Sequence, residues 1–553
     1  MQKLSTLLLC CLIAVFGKAQ TSTSYLVYEL FQDKCTSCHG NANPEAGLDL
    51  EGSGGTEVER MLDVRNNIIG VQPANPFAAA KGYQYIYPGH ADRSFLFHKI
   101  NDGLEPSLSL EEDEGESMPF NGQETLTDEE KELIRQWIVF GAPAEGEVVD
   151  PQLLYDYYNV SGEAAFDTPP PGPAPGEGYQ LRFGPYFMNR AGEEGAELEY
   201  YMKYDMELPE NIEVNRVDLR ISSYSHHIVV YRYTDQESAD QIPAGLRVDT
   251  DHNNLNIVTT AQENAIVALP EGTAFMWDKD IVLDLNSHYI NYSAGSVYKA
   301  DAYINIYTQP EGTAAQPMET TLVPYPWIYI PNNSNTTSFS QEVVYPQEIY
   351  LWAIGGHTHQ YGTDYKVWER KSTGEKGDLI YDASCSGGLP GCVSPYFDYQ
   401  HIPVRTMQPL RRIDLGDGLI QEATYLNNGP EPVSWGSTSE DEMMLMGLMY
   451  VLDTTGLNLP IASSTSEVAD QTLEGVSVHP NPMSLETTFT FSREGTAPFE
   501  VQVFDLLGNE IYYEKNITTH LHEMKRGELS TGMYLYRVAD ESGKWQSGKL
   551  FVD

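Results

Sequence analysis

Between residues 180 and 455 the chain is built from short runs of strand formers, and this limits what it can become. Tyr, Val, Ile and Thr dominate, turn residues recur at short intervals, and helical periodicity is scarce. Typical runs are "VNRVDLRISS", "HHIVVYRY", "DIVLDLNSHYINYS" and "KADAYINIYT". Bounded runs of this kind are all-β patterning. The texture changes on both sides. A Pro-rich stretch, "DTPPPGPAPGEG" at 167–178, closes the N-terminal segment, and the composition shifts again near residue 456. With 553 residues the chain is long for one core, and three or four domains are expected.

The charge balance narrows the partners. There are 33 Lys and Arg against 80 Asp and Glu, a formal net charge of −47. Nucleic acid needs clustered basic side chains and is not an expected partner. Such acidity suits a secreted protein kept soluble by its charge. The opening "MQKLSTLLLCCLIAVFGKAQ" has Lys3, then an apolar run, then Gly17-Lys18-Ala19. This reads as a signal peptide over 1–19 cut near Ala19; the run is short for a membrane span. Cys10 and Cys11 do not make a lipoprotein signal, because Leu9 stands where a small residue is required. No later apolar stretch is long enough to cross a membrane, so the mature chain is expected to be exported without a transmembrane span. Four cysteines remain. Cys385 and Cys392 bracket "SGGLPG", and in an oxidising compartment they are expected to form a disulfide.

The other two stand in "KCTSCHG", residues 34–40. Cys-x-x-Cys-His is the attachment motif of a c-type haem. Cys35 and Cys38 would bond the porphyrin vinyls and His39 would be an axial iron ligand. A redox dithiol and half a zinc site are the competing readings, and a zinc site lacks a second ligand pair nearby. The second axial ligand is expected to be Met118, in a polar loop before a strong helix; His90 and His98 are its rivals. In that helix Thr127 and Glu130 make a capping box, and Leu133, Ile134, Trp137 and Ile138 form one apolar face. The whole segment resembles small cytochrome c domains, which implies helices on both sides of one covalent haem c.

Histidines recur in the β region. "SYSHHIVVYR" carries His226 and His227, "LDLNSHYINY" carries His288, and "AIGGHTHQYG" carries His357 and His359. On a strand His357 and His359 point the same way. Any lone histidine is more often structural than a ligand, but five of thirteen in strand-borne motifs is harder to set aside. A thioether appears late, in "STSEDEMMLMGLMYV" with Met443 and Met444. Imidazole suits copper, zinc, iron and nickel, and a thioether shifts the balance towards Cu(I). Blue copper lacks its cysteine here, and zinc hydrolase sites avoid methionine. Copper without thiolate is the remaining expectation.

Together these motifs resemble the copper type II ascorbate-dependent monooxygenases, the family of peptidylglycine hydroxylating monooxygenase and dopamine beta-hydroxylase, over roughly residues 180–455. The resemblance implies two β-sandwich domains facing each other across solvent, each holding one copper. One copper would take His226, His227 and His288, the last within "SHY". The other would take His357, His359 and Met443, the last within "DEM". It also implies hydroxylation of an activated C–H bond with O2, with O2 activation at the His357, His359 and Met443 copper and an electron from the other. Departures matter. Family members often carry a cysteine after the ligand Met, bonded to an earlier one; here Met444 and Ala423 stand there. The substrate-carboxylate Arg of the peptide-amidating members is replaced by Gly355, and their Asn and Tyr by Leu445 and Gly447. Peptide amidation is therefore not expected.

In the tail, the P-N-P turn, the "DLLG" turn and the closing "GMYLYRV" strand resemble C-terminal sorting domains of the type IX secretion system. That implies a Bacteroidetes-type organism and passage across the outer membrane, to a secreted or cell-surface location. The expected order is a signal peptide (1–19), a small α-helical cytochrome c domain (20–150) and a Pro-rich linker (165–178). Two antiparallel β-sandwich, jelly-roll copper domains (179–310 and 311–455), a linker (456–471) and a β-sandwich sorting domain (472–553) follow. The expected function is a secreted copper monooxygenase fed with electrons by its own haem, the linker acting as a short tether. Its partners would be a small-molecule substrate, O2, the secretion machinery and a reductant such as ascorbate, a quinol or another cytochrome. A haem and copper electron-transfer or copper-binding protein without oxygenase turnover is the alternative.

Overall fold

A computed structural model describes residues 22–553 apart from 43, 120–122, 249–253, 333, 385–396, 400–402, 437–440, 460, 463–475, 492–497, 505–509, 528, 531, 541–544 and 553. The expected signal peptide and the expected Cys385–Cys392 disulfide lie outside the described residues. The chain is mostly β-sheet with few helices. It divides into two compact units, Met1–Ala462 and Ser463–Asp553. That division falls inside the stretch expected to be a linker at 456–471.

The helices gather at the N-terminus: α1 (Thr23–Lys34), α2 (Thr36–His39), α3 (Glu57–Ile68), α4 (Pro76–Ala80), α5 (Phe95–Ile100), α6 (Asp128–Val139) and α7 (Pro151–Asn159). Helix α6 begins at the capping box read from sequence. Thr127 Oγ1 accepts from the Glu130 N–H, and Glu130 Oε2 accepts from the Thr127 N–H at 2.8 Å. Of its expected apolar face, Ile134, Trp137 and Ile138 are buried, and Leu133 is partly so.

The β region begins with β1 (Gly178–Met188), β2 (Glu197–Asp205), β3 (Ser225–Tyr233), β4 (Val282–Ile290) and β5 (Val297–Gln309). One sheet runs Leu246–Arg247, β2, β4, β3, Leu255–Ala261. The sheet facing it is centred on β5, which pairs antiparallel with β1 and with Ile212–Arg220. Tyr186 of β1 meets Tyr200 of β2 and Tyr289 of β4 across the gap, with ring centroids 4.9 and 6.2 Å apart. Helical segment and sandwich share one hydrophobic core that runs from Val27 and Trp137 to Ile304 and Leu285.

The Pro-rich stretch does not hang free between them. Gly162–Ala164 pairs parallel with the start of β5. Asn305 Nδ2 donates to the Pro171 carbonyl and Gln180 Nε2 to that of Pro170, both at 3.0 Å. Phe166 stacks edge-on against Tyr303. The expected tether is thus a strap laid on the sheet: proline carbonyls lack no acceptor capacity, and β5 and β1 each have a side chain placed to donate to them.

A second pair of sheets follows, with β6 (Ile349–His357), β7 (Val404–Ile413) and β8 (Leu445–Val451). One sheet runs Glu319–Pro324, β8, β6, β7, Ile461–Ala462; the other contains Thr336–Val344, Gly418–Leu426, Gly362–Arg370 and Lys376–Asp382. The unit Ser463–Asp553 has a sheet of three strands and a sheet of four around a core that includes Phe489, Val501, Val538 and Leu550.

Candidate metal centres

Strands β3 and β4 bring three histidines together by a local irregularity. Side chains alternate along a regular strand, so adjacent His226 and His227 would face opposite ways. The ladder pairs His288 with His227 and then Tyr289 with Ser225, skipping His226. Two residues of β3 therefore oppose one of β4, which is a β-bulge. It lets both imidazoles turn towards His288. One donor atom from each of the three lies within 4.8 Å of the others, and among the described residues no other His, Cys, Asp or Glu grouping converges this way. His226 Nδ1 and His227 Nδ1 are 3.2 Å apart. Two nitrogens bound to one tetrahedral ion at about 2.0–2.1 Å would stand about 3.3 Å apart, so the spacing fits a shared metal.

Polar neighbours orient the rings. His227 Nε2 donates to Asn286 Oδ1 at 2.9 Å and lies 3.3 Å from Glu199 Oε1; Asn286 Nδ2 in turn donates to Glu199. His288 Nε2 donates to Glu197 Oε1 at 2.9 Å. With Nε2 carrying the proton, Nδ1 keeps the lone pair for a metal. Burial alone would raise Glu199, but the His227 hydrogen bond and the charges of His227 and His288 hold it down at about 2. The hydrogen bond from His288 likewise lowers Glu197. Both are carboxylates at neutral pH.

The second set lies at the end of β6. His357 and His359 have ring centroids 5.1 Å apart. Antiparallel β6 and β8 pair His357 with Leu445, and just before β8 the Asp441 carbonyl and the Glu442 side chain reach His359. A buried carboxylate ties the two backbones. Glu442 accepts from the N–H groups of His359 at 2.8 Å, Tyr361 at 2.6 Å and Met443 at 3.2 Å. His359 Nδ1 lies 3.0 Å from the Asp441 carbonyl oxygen, leaving Nε2 as the outward nitrogen. Burial pushes Glu442 up to about 7 even against those amide hydrogen bonds. The preceding Gly356 is required, since a Cβ there would meet the ring of buried Tyr365.

The two sets sense each other. Burial lowers His357 well below its ordinary value, and the charges of His359, His227 and His226 lower it further, while Glu199 opposes them. Burial lowers His359 as well. Both imidazoles are thus neutral at pH 7, the form that binds metal. Tyr399 is raised by burial, by Asp398 and then by both Glu197 and Glu442.

In the helical segment Cys35 and Cys38 are half-buried free thiols on one turn of backbone, with the Cys38 N–H bonded to the Cys35 carbonyl. Burial, with Asp33 and Cys38, pushes the Cys35 thiol up to about 12. A redox dithiol needs the opposite shift, towards thiolate. Among the described residues His39 Nδ1 is the histidine nitrogen buried without a hydrogen-bond partner. Cys35 and Met118 border the same core. The rivals are engaged elsewhere: His98 Nε2 donates to the Asp92 carbonyl at 2.8 Å, and His90 is buried edge-on against Tyr204 of β2. The residue set fits a c-type haem.

Sequence reasoning did not single out Glu197, Glu199, Asn286 or Glu442. "ELE" at 197–199 did carry a signal, because period 2 puts both carboxylates on one face of a strand.

Comparison with known proteins speaks to the tail. Residues 477–553 match the secretion system C-terminal sorting domain. The chain carries an export signal of the type IX system. It is therefore a secreted or cell-surface protein whose partner is that secretion machinery, and among the described residues no helix is long and apolar enough to cross a membrane. A curated relative, the ulvan lyase NLR42 of Nonlabens ulvanivorans, is 31% identical over 93 residues, 17% of each chain. Solved β-glucuronidases from Faecalibacterium prausnitzii and Ruminococcus gnavus overlap 44% of this chain and 47% and 46% of their own, at 8% identity and TM-scores of 0.20 and 0.19. Likeness at that level carries neither fold nor activity across.

Proposed function

We infer that the protein is a secreted copper-dependent monooxygenase that hydroxylates an activated C–H bond, with electrons supplied through a c-type haem in its helical segment. The observation that carries this reading is the pairing of donor sets in one compact unit: three imidazoles at a strand bulge, and two imidazoles at the end of β6 tied through Glu442 to the backbone of Met443. Copper held in both sets would supply the one-electron steps of R–H + O2 + 2e⁻ + 2H⁺ → R–OH + H2O, and a haem on Cys35 and Cys38 would relay the electrons.

This chain's own residues do the rest. Glu197, Glu199 and Asn286 fix the tautomer and orientation of the first set. Glu442 holds the His359 turn against Met443, so the second donor set is fixed through the backbone. Soft sulfur beside neutral imidazoles favours the reduced metal at the second set. Gly355 leaves no cation at the position where a peptide carboxylate would need one, so a substrate lacking a free carboxylate is the better fit.

The test is elemental analysis followed by O2 uptake across a panel of small C–H substrates, with labelled O2 traced into product. Two coppers, one covalent haem and one labelled oxygen per product are expected. A single zinc with no copper affinity would end the reading. Copper and haem without any oxygen transfer would favour a secreted electron-transfer protein.

A further inference from the structure

The helical segment meets the three-histidine sheet through a junction with no slack. Gly89, Gly141 and Gly245 all have positive φ, and a Cβ on any of them would collide with backbone across the junction. Main chain touches main chain there. Beside it lies a buried ionic chain. Glu105 accepts from Arg135 Nη1 of α6 at 3.2 Å and from Arg182 Nη1 of β1 at 2.6 Å, and Arg182 Nε donates to Asp301 of β5 at 3.0 Å. Gln136 Nε2 donates to the Pro185 carbonyl at 2.9 Å, and Arg93 pairs with Glu207 at 2.8 Å. These contacts set the segment in one orientation on the sandwich.

One contact in this junction leads to the histidines. Phe140, at the C-terminal cap of α6, meets Tyr200 of β2 edge-on with centroids 5.5 Å apart. Tyr200 is paired with Ser287 and Glu199 with His288 in the β2–β4 ladder. On β2 the side chains of residues 199 and 200 point to opposite faces. Tyr200 thus lies on the inner face of its sheet, against both Tyr186 of β1 and Phe140, and Glu199, bonded to Asn286 and beside His227, lies on the other face with the three histidines. The two are separated by the thickness of a single strand. The polar and ring contacts of the helical segment across this junction fall on or beside β1, β2 and β5. Helix α6 also packs on α1, which leads into Cys35.

We propose that electrons enter the copper pair at the His226, His227 and His288 centre, through the Phe140–Tyr200 contact, from a haem segment permanently docked on that sheet. The proposal rests on the functional reading above. In each transfer one electron leaves ferrous haem iron, which becomes ferric, and reduces Cu(II) of the three-histidine set to Cu(I). No proton moves, and a small one-electron reductant in the medium restores the haem. Because docking is built into the fold, the Pro-rich strap contributes little to the encounter between donor and acceptor.

The test uses the full chain loaded with haem and copper, kept free of O2. A protease site is placed in the exposed 174–176 turn, and haem reoxidation after flash reduction is followed by its visible absorbance. The cut chain should elute as one particle and reoxidise its haem at the uncut rate, with no dependence on salt between low and high ionic strength. Tyr200→Leu should slow reoxidation at least tenfold, with copper content and the Cu(II) spin-resonance signal unchanged. Tyr200→Phe, which keeps the ring, should restore the rate and guards against a folding artefact. Separation of the cut pieces, or an unaltered rate in Tyr200→Leu, overturns the proposal while leaving the functional reading intact. A chain that takes up no haem or no copper overturns both.

Discussion

At the three-histidine set, carboxylates hold the imidazoles themselves; at the two-histidine set, a carboxylate holds the backbone that carries them. Glu197 and Glu199 are anions set against imidazole N–H groups. Glu442 sits on amides, and burial keeps its proton affinity high. A metal in the first set would lie within an anionic shell, which favours its higher charge. One in the second set would lie among neutral rings and a thioether, which favours its lower charge. One residue type would thus serve two redox tasks, and the difference would reside in its neighbours.

The hardest test of this contrast is removal of a donor from each side. His288→Ala should empty the first set and His357→Ala the second, each taking metal content from two to one and turnover down by about a thousandfold or more. Elemental analysis would show it; loss of both metals from either variant would mean the sets are not separable. Next in size are the neighbours. Glu199→Ala should weaken metal at the first set by about 10–100-fold and spare the second. Glu442→Ala should do the reverse, since it leaves the His359, Tyr361 and Met443 amides unpaired at about 1–3 kcal/mol each. Equal losses at both sets in both variants would erase the distinction.

The smallest effect is set by acid. Burial would raise the Glu105 carboxyl, but Arg182 and Arg135 outweigh it and hold it below its ordinary value. A lowered folded pKa stabilises above the unfolded value and is lost as pH falls through the folded one. Stability of the junction should therefore fall on acidification below about pH 4.5. Because Glu105 ties the helical segment to Arg182 of β1, and through it to Asp301 of β5, melting curves between pH 6 and pH 3 should show the helical segment loosening from that sheet first. Glu105→Gln should flatten the slope.

Much of this arrangement is legible in sequence, for physical reasons that differ by residue. His357 and His359 share a face because strand periodicity is 2, and Thr127 with Glu130 starts α6 because the capping box is local. Adjacent His226 and His227 are not decodable by periodicity, since alternation separates them; only the partner strand reveals the bulge. Glu442 stands beside Met443 in the sequence, yet its role depends on amides more than eighty residues away. The junction is equally hidden. Glu105, Arg135, Arg182 and Asp301 are scattered along the chain, and the proline-rich composition between them suggested a spacer where the fold lays a strap.

The bulge on β3 has a consequence for how such a site arises. Were His226 absent, Ser225 and His227 would be consecutive and would pair with Tyr289 and His288 in an unbroken ladder. The sandwich would keep its register on both sides and would gain the regular hydrogen bonding that a bulge forgoes. A regular strand and one that turns both histidines towards His288 are therefore a single inserted codon apart, and the ladder keeps its register on both sides of the insertion. One of the three donors could thus be gained or lost in a single step, by a change in length that keeps the pairing on either side in register.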